Sequence, residues 1–347
     1  MHTSKLLNNV SAIKKRLNRN VQTMAVVKDN AYGHDLIQTA QRLEPVVDWF
    51  CVARVDEGVR LREADIKLPI LVFESPSAET ASLYADFKLT ASLTDASILG
   101  LLKDGTEYQI NLDTGMRRLG VLPNEVEDVV SKMAKFPGLT CTGIYTHFAK
   151  ADDPGNPEVD TQLDLFKNLR TKFDSELMTH TANTGAIFHY PELDLQFDAV
   201  RPGVSLYGYG AGEEQITDLE PAIEWKSFLM QVKPISKGEA VSYGMRWVAP
   251  TDGYIAAVPT GYAAGVSRIL SSKIEYSINQ TRFEQAGTIS MDYSMVFLKD
   301  EKFDPGTEIT LLGGNAQSAK EWAEKGQTIP YEITTRIHPS IQRIFID

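Results

Sequence analysis

The chain has 347 residues, 43% of them hydrophobic and 23% charged, and a formal net charge of -11. That balance buries a core and allows about two domains of ordinary size. It argues against a nucleic-acid partner, which needs a basic surface, and against an anionic membrane. No run reaches the roughly 18 apolar residues of a membrane span, and residues 1–17 hold no apolar core of signal-peptide length. The two cysteines, Cys51 and Cys141, sit in the apolar runs WFCVA and LTCTGIY. They read as buried reduced thiols of a cytoplasmic protein and make no metal pattern.

In chain order, Leu6, Val10, Ile13 and Leu17 recur at helical spacing. MAVV (24–27) reads as a buried strand, and WFCVA (49–53) as a second. The helical VDEGVRLREA (55–64) leads to the strand PILVF (69–73). SILGLL (97–102) is helical and YQINL (108–112) is a strand. EVEDVVSKMAKF (125–136) is a helix and CTGIYTHF (141–148) a strand. TQLDLFKNLRTKF (161–173) is a helix with Leu163, Phe166, Leu169 and Phe173 on one face. So many strand–helix units predict a parallel sheet closed into an eight-stranded (β/α)8 barrel over residues 1–221. An open doubly wound sheet is the alternative, but no GxGxxG follows the first strand. The texture changes near GAGEEQITDLEPAIEW (210–225). FLMQVKPI, YIAAVPTGY, MVFLKD and EITLLGG read as strands, and only SAKEWAEK (318–325) as a helix. Residues 222–347 are therefore expected to form a mostly antiparallel β-domain.

Lys28 closes the first apolar strand. A lysine there often lays its stem along a rim and holds its ammonium in water. Active sites of such barrels, however, sit at the C-terminal ends of the strands. A partly desolvated lysine in that place can form a Schiff base with a carbonyl. Tyr32, Gly33 and His34 follow within a turn. Together they could hold a carbonyl cofactor that also carries a phosphate.

At this point the chain resembles the alanine racemase family. Its hallmark, roughly A-V-V-K-A-N-A-Y-G-H-G, is close to AVVKDNAYGHD (25–35). LDTGMRRLG (112–120), GIYTHFAKAD (143–152), HTANTGA (180–186), VRPGVSLYG (200–208), VSYG (241–244), PTGYAAG (259–265) and SMDYSMV (290–296) have counterparts in the same order. The resemblance implies pyridoxal 5'-phosphate as cofactor, an amino acid as substrate, and a homodimer with shared active sites. It implies no metal. Lys28 would be the Schiff-base lysine and one catalytic base, and Tyr243 the opposing base, donated by a partner subunit. Arg118 would meet the cofactor's phenolic oxygen and the substrate. Arg201 would face the pyridine nitrogen, with His180 behind it. Tyr32, Thr184, Gly203 and Val204 would hold the phosphate, and His147 and Asn183 would complete the cofactor pocket. Met291 and Asp292 would bind substrate from the partner. Asp152, Tyr262 and Arg268 would line the access channel. The activity implied is interconversion of L- and D-alanine, supplying D-alanine for peptidoglycan.

Several positions depart from the family. The chain begins just ahead of the first helix, so an early strand of the β-domain is expected to be missing. Asn111 stands where many members carry a carbamylated lysine; its amide could still accept a hydrogen bond from Arg118 but supplies no negative charge, and no carbamate is expected here. Pro339 falls on the place of an active-site tyrosine, Ala264 on that of an aspartate, and Thr288 on that of an arginine. These changes imply a wider pocket, open to serine or a larger amino acid, or an inactive cofactor-binding paralogue. A single-barrel cofactor carrier would lack the second domain. The decarboxylases and zinc-assisted lyases of related architecture need a late cysteine, and none follows Cys141.

Overall fold

The continuous apolar runs of the first two thirds form parallel strands buried on both faces, which is why they show little alternation. In the computed structural model, which describes residues 1–18, 20–191, 194–212 and 216–347, eight of them make one sheet. They are β1 (Gln22–Val26), β2 (Trp49–Val52), β3 (Ile70–Val72), β4 (Ala91–Leu93), β5 (Glu107–Asn111), β6 (Thr140–Tyr145), β7 (Met178–Asn183) and β8 (Ala199–Arg201). Their order is β3-β2-β1-β8-β7-β6-β5-β4. A parallel bridge between Leu71 and Thr90 joins the two ends and closes the barrel. The expected barrel is therefore present.

Helices alternate with these strands. α1 (Thr3–Lys14) buries Leu6, Val10 and Ile13, three of the four residues of its predicted stripe. A one-turn element, α2 (Lys28–Tyr32), follows β1, and α3 (Leu36–Leu43) follows that. α4 (Val55–Glu63), α5 (Ala81–Asp86), α6 (Val126–Met133), α7 (Pro157–Arg170) and α8 (Thr184–His189) complete the outer layer. On α7 the buried side chains are Val159, Gln162, Leu163 and Phe166. Phe173 lies beyond the helix, so the stripe expected to run through it ends a turn early. Cys51 is buried, but Cys141 is only partly so. It stands near the N-terminal end of β6, where the strand's burial is incomplete.

Contacts divide the chain into two units. One comprises Thr3–Ala31 and Asp35–Glu220, the other Met1–His2, Tyr32–His34 and Pro221–Asp347. Glu213, Glu214 and Gln215, where the sequence changes texture, lie outside the described residues.

The second unit is built of antiparallel strands. β10 (Gln231–Ile235), β13 (Gly253–Val258) and β16 (Ser294–Phe297) form one sheet. β9 (Trp225–Phe228), β14 (Glu275–Ile278), β15 (Thr281–Glu284) and β17 (Glu308–Leu312) form another, and β11 (Ala240–Val241) pairs with β12 (Trp247–Val248). FLMQVKPI, expected as one strand, is split between the sheets. Leu229 N–H goes to Thr307 O and Met230 N–H to Ala257 O, so the chain changes partners between those two residues. α9 (Ala319–Gly326) is the expected helix. α10 (Pro330–Thr335) was not foreseen, because six residues are too few to show a stripe. β14 and β15 escaped notice for want of a glycine: Asn279 and Gln280 make the tight turn, both at positive φ.

Candidate active site

The turn after β1 carries four consecutive non-glycine residues at positive φ. Asp29, Asn30 and Ala31 all lie near φ 54, ψ 50, at φ/ψ of 53/53, 55/45 and 53/51, and Tyr32 continues at φ 51. Left-handed helix costs roughly 1–2 kcal/mol per non-glycine residue. Something must hold it. The buried carboxylate of Glu57 accepts from Asn30 N at 3.3 Å, Ala53 N at 3.0 Å and Arg54 N at 3.3 Å. Asn30 Oδ1 accepts from Leu36 N at 3.0 Å. Lys28 is thereby fixed at the start of the turn, half-buried, and its ammonium has no hydrogen-bond or ion-pair partner among the described residues. Replacing Glu57 with alanine leaves three backbone donors unpaired. We expect a loss of about 1–3 kcal/mol in chemical denaturation; an unchanged midpoint would show that the carboxylate does not hold the turn.

Arg118 lies on the loop after β5. Asp113 Oδ1 accepts from Gly115 N at 2.9 Å and Arg117 N at 3.0 Å. Asn111 Nδ2 donates to Leu119 O at 3.2 Å. Asn111 thus ties the loop's backbone, and the bond to Arg118 that its amide could accept is not formed among the described residues. The Arg118 side chain is exposed and has no partner among the described residues.

Arg201 ends β8 and is almost wholly buried. Its Nη1 donates to His180 Nδ1 at 2.5 Å and His180 O at 2.9 Å. Its Nη2 donates to Thr146 O at 2.6 Å and Thr181 O at 3.1 Å. Nε–H has no acceptor among the described residues. A guanidinium cannot accept, so His180 Nδ1 must be bare and its proton sits on Nε2. That proton goes to Gln109 Oε1 at 2.8 Å. Tyr145 stacks on the His180 ring, 4.9 Å between centroids at 9°, and lies 5.2 Å below the Arg201 carbon. The Tyr145 hydroxyl meets Ser92 Oγ at 2.7 Å, which donates to Val72 O. Burial pulls the Arg201 value down to about 10, which leaves it charged at neutral pH.

His147 follows β6. Asn183 Nδ2 donates to its Nε2 at 3.2 Å, so the proton is on Nδ1. Burial, then the charges of Arg201, Arg118 and Lys28, hold its pKa well below the usual histidine range. Burial and Arg201 do the same to His180. Both therefore stay neutral in the fold while the unfolded chain protonates near pH 6.5. Their contribution to stability is complete above that pH and is lost as pH falls. We expect about 1.4 kcal/mol lost per histidine at pH 5.5 relative to neutral pH. Thermal unfolding of His180→Gln against the parent from pH 7.5 to 5.5 checks this; equal slopes would contradict it.

Thr184 and Gly203 meet beyond β7 and β8. Gly203 N–H donates to Thr184 Oγ1 at 3.0 Å, and Ser205 Oγ lies 3.1 Å from the same oxygen. Val204 opens the short turn that follows. Asp152 is exposed on the loop after β6. Lys28, Arg118, His147, Asn183, Thr184, Arg201, Gly203 and Val204 thus all stand at the C-terminal ends of barrel strands.

The other predicted residues belong to the second unit. The Tyr32 ring meets Tyr331 edge-on at 6.3 Å. Tyr243 is 71% exposed, and Met291, Asp292, Tyr262 and Arg268 are exposed as well. Tyr243 sits in a strained turn: Ser242 has φ 65, ψ -173, and Met245 has φ 48. Thr288 Oγ1 donates to Tyr243 O at 2.7 Å, and Ser242 Oγ donates to Thr288 O at 2.5 Å. The threonine at the arginine position is therefore a buried latch on this turn. His338 N–H donates to Ala264 O at 3.0 Å. His338 Nδ1 meets Ser340 Oγ at 2.7 Å, and Pro339 between them is exposed. Among the described residues no group of three or more metal-ligating side chains exists, and no helix is long and apolar enough to cross a membrane.

Gln109, Tyr145, Gln162 and Glu57 were not foreseen. Two of them were signalled by strand period: Gln109 is two residues from Asn111, and Tyr145 two from His147.

Comparison with known proteins gives one family throughout. Residues 1–211 match the alanine racemase N-terminal domain and residues 222–345 the alanine racemase C-terminal domain. Alanine racemase 1 of Bacillus subtilis is 36% identical, over 99% of this chain and 91% of that protein. The alanine racemase of Carboxydothermus hydrogenoformans is 35% identical, over 96% of this chain and 95% of that protein. Among solved structures, alanine racemase from Bacillus anthracis with bound L-Ala-P superposes with a TM-score of 0.93 at 32% identity, covering 100% of this chain and 94% of that one.

Proposed function

The chain belongs to the alanine racemase family, and from that premise we propose that it interconverts L- and D-alanine with pyridoxal 5'-phosphate as coenzyme. One observation carries the reading. Lys28 follows β1, Arg118 lies on the loop after β5, His147 follows β6 and Arg201 ends β8, so three cations and an imidazole stand at the C-terminal end of one barrel.

The residues present fit such a coenzyme. The Lys28 ammonium, the Arg118 guanidinium and Arg201 Nε–H are donors without acceptors among the described residues. An aldehyde-bearing aromatic ring with a phenolic oxygen, a ring nitrogen and a phosphate answers all of them. When bound, the coenzyme supplies a conjugated ring that takes up negative charge developing at the substrate's α-carbon.

Lys28 would hold the coenzyme's aldehyde carbon and move the α-proton on one face. Arg201 would donate through Nε to the ring nitrogen. It remains charged at neutral pH and so gives up no proton there, which limits how much charge the ring absorbs. Arg118 would pair with the phenolic oxygen and the substrate carboxylate. Thr184, Gly203, Val204 and Tyr32 would hold the phosphate. Tyr243 would move the proton on the opposite face, because making both enantiomers needs a base on each.

Tyr243, Met245, Tyr262, Ile269 and Met291 are large apolar side chains exposed by 42% to 74% on the second unit. Exposed apolar surface of that kind marks an interaction face. We assign it to a second copy of the chain, which would present Tyr243, Met291 and Asp292 to the barrel site. Asp152, Tyr262 and Arg268 would line the approach. The product, D-alanine, would serve peptidoglycan synthesis in the cytoplasm.

A wider substrate range has its own support, since His338 is engaged with Ser340 and the adjacent, exposed Pro339 has neither an aromatic ring nor a hydroxyl. The test is a racemisation assay by chiral chromatography over the proteinogenic amino acids. Turnover of alanine supports the reading, and its absence in coenzyme-saturated protein contradicts it. Serine turnover that falls on Pro339→Tyr would establish the wider range, and undetectable serine turnover would reject it.

A further inference from the structure

Resting on that reading, we propose that Gln162 of α7 is a positioning residue that sets the Arg118 loop, His147 and Arg201 relative to one another. It meets His147 only at the backbone carbonyl and touches no side chain that would meet the coenzyme.

Gln162 is a fully polar side chain on the buried face of a helix, 2% exposed among Val159, Leu163 and Phe166. Its spacing puts it on the apolar stripe, where a hydrophobic residue would pack without cost. Every polar atom of its amide is used. Nε2 donates to Thr114 Oγ1 at 3.2 Å and to His147 O at 3.1 Å. Oε1 accepts from Ala149 N at 2.9 Å. One helix residue thus reaches the loop after β5 and two residues after β6.

The network continues with a fixed direction. Thr146 Oγ1 donates to Leu112 O at 2.8 Å, so it accepts from Thr114 Oγ1, 2.8 Å away. Thr114 Oγ1 in turn accepts from Gln162. Donation therefore runs Gln162 to Thr114 to Thr146 to Leu112. The carbonyl of Thr146 is the one that takes Arg201 Nη2 at 2.6 Å. Gly115 completes the seat: a Cβ there would stand 3.2 Å from Gln162 Cγ, and its φ is +152. Glycine lets the loop that carries Arg118 close onto the glutamine stem.

Each hydroxyl in the chain has one allowed orientation, because the Leu112 carbonyl at its foot can only accept and the amide N–H at its head donates into Thr114. Deleting or reversing the amide leaves the Thr114 and Thr146 donations in place but cuts the tie from α7 to Thr114, His147 and Ala149. The loops bearing Arg118 and His147 then lose a common reference point. Small displacements of that kind remote from the reacting atoms reduce rate more than they reduce folding.

The test uses coenzyme-loaded full-length protein. Gln162→Leu keeps the volume and removes all three bonds. Gln162→Glu keeps the acceptor for Ala149 N and replaces the donor to Thr114 and His147. Val159→Ala, on the same buried face, is the control for plain loss of packing. We expect both Gln162 variants to lower kcat for alanine about 10- to 100-fold, to weaken coenzyme binding by titration, and to shift the visible absorption of bound coenzyme. Val159→Ala should lose thermal stability and keep kcat and spectrum. If Gln162→Leu does not fold, Gln162→Glu is read alone against the same control. Variants that match Val159→Ala, less stable but with parental kcat, affinity and spectrum, overturn the positioning role. A parent that binds no coenzyme and turns over no alanine overturns the functional reading instead, and this inference with it.

Discussion

Lys28→Ala is expected to remain folded, to lose the visible absorption of bound coenzyme, and to racemise alanine about 10⁴-fold more slowly. The size follows from two lost roles at one atom. The ε-amine would hold the coenzyme and also carry the α-proton on one face. Folding should be nearly untouched, because Lys28 makes no hydrogen bond or ion pair among the described residues. The turn after it is held by Glu57 and Asn30 instead. Absorption spectroscopy with a racemisation assay checks both parts. A variant that keeps the visible band of the parent would place the coenzyme on another lysine.

Tyr243→Phe is the second large effect, with a different signature. It should bind coenzyme as the parent does, since Lys28 and the barrel residues are intact. Racemisation should fall about 10²- to 10⁴-fold, the usual worth of a positioned acid–base group. Lys28 then remains as the one base. In deuterated solvent, it should exchange the α-proton of one enantiomer with configuration retained. Nuclear magnetic resonance of recovered alanine reads this directly. Exchange into both enantiomers at the parental rate would show that the phenol takes no part. The turn behind it is latched by Thr288 and Ser242 within strained backbone. Such strain persists only where surrounding bonds over-determine it.

The barrel was legible because its signal is redundant. Strand and helix runs alternate, and no single run decides the topology. The second unit was less so: its strands, two to six residues long, are shared among three sheets, and one apolar run serves two of them around Leu229 and Met230. At the site, the residues bearing charge could be named from ordered motifs. Their supports could not. Glu57 and Gln162 hide in helices where their types suggest a solvated face, and only three-dimensional closure turns them inward. Asn111 illustrates the limit. Its position on β5 was foreseen, but whether its amide met Arg118 or the Leu119 carbonyl depended on how the loop folds back at Gly120, where a Cβ would stand 2.7 Å from Asp113 N.

The central claim is that one subunit's lysine and another's tyrosine make each site. Co-expressing Lys28→Ala and Tyr243→Phe under two different tags, and purifying the hybrid through both, tests it most directly. The hybrid pairs an intact lysine from one chain with an intact tyrosine from the other at one of its two sites. It should recover about half the parental racemisation. A hybrid as inactive as the two variants alone would contradict the account.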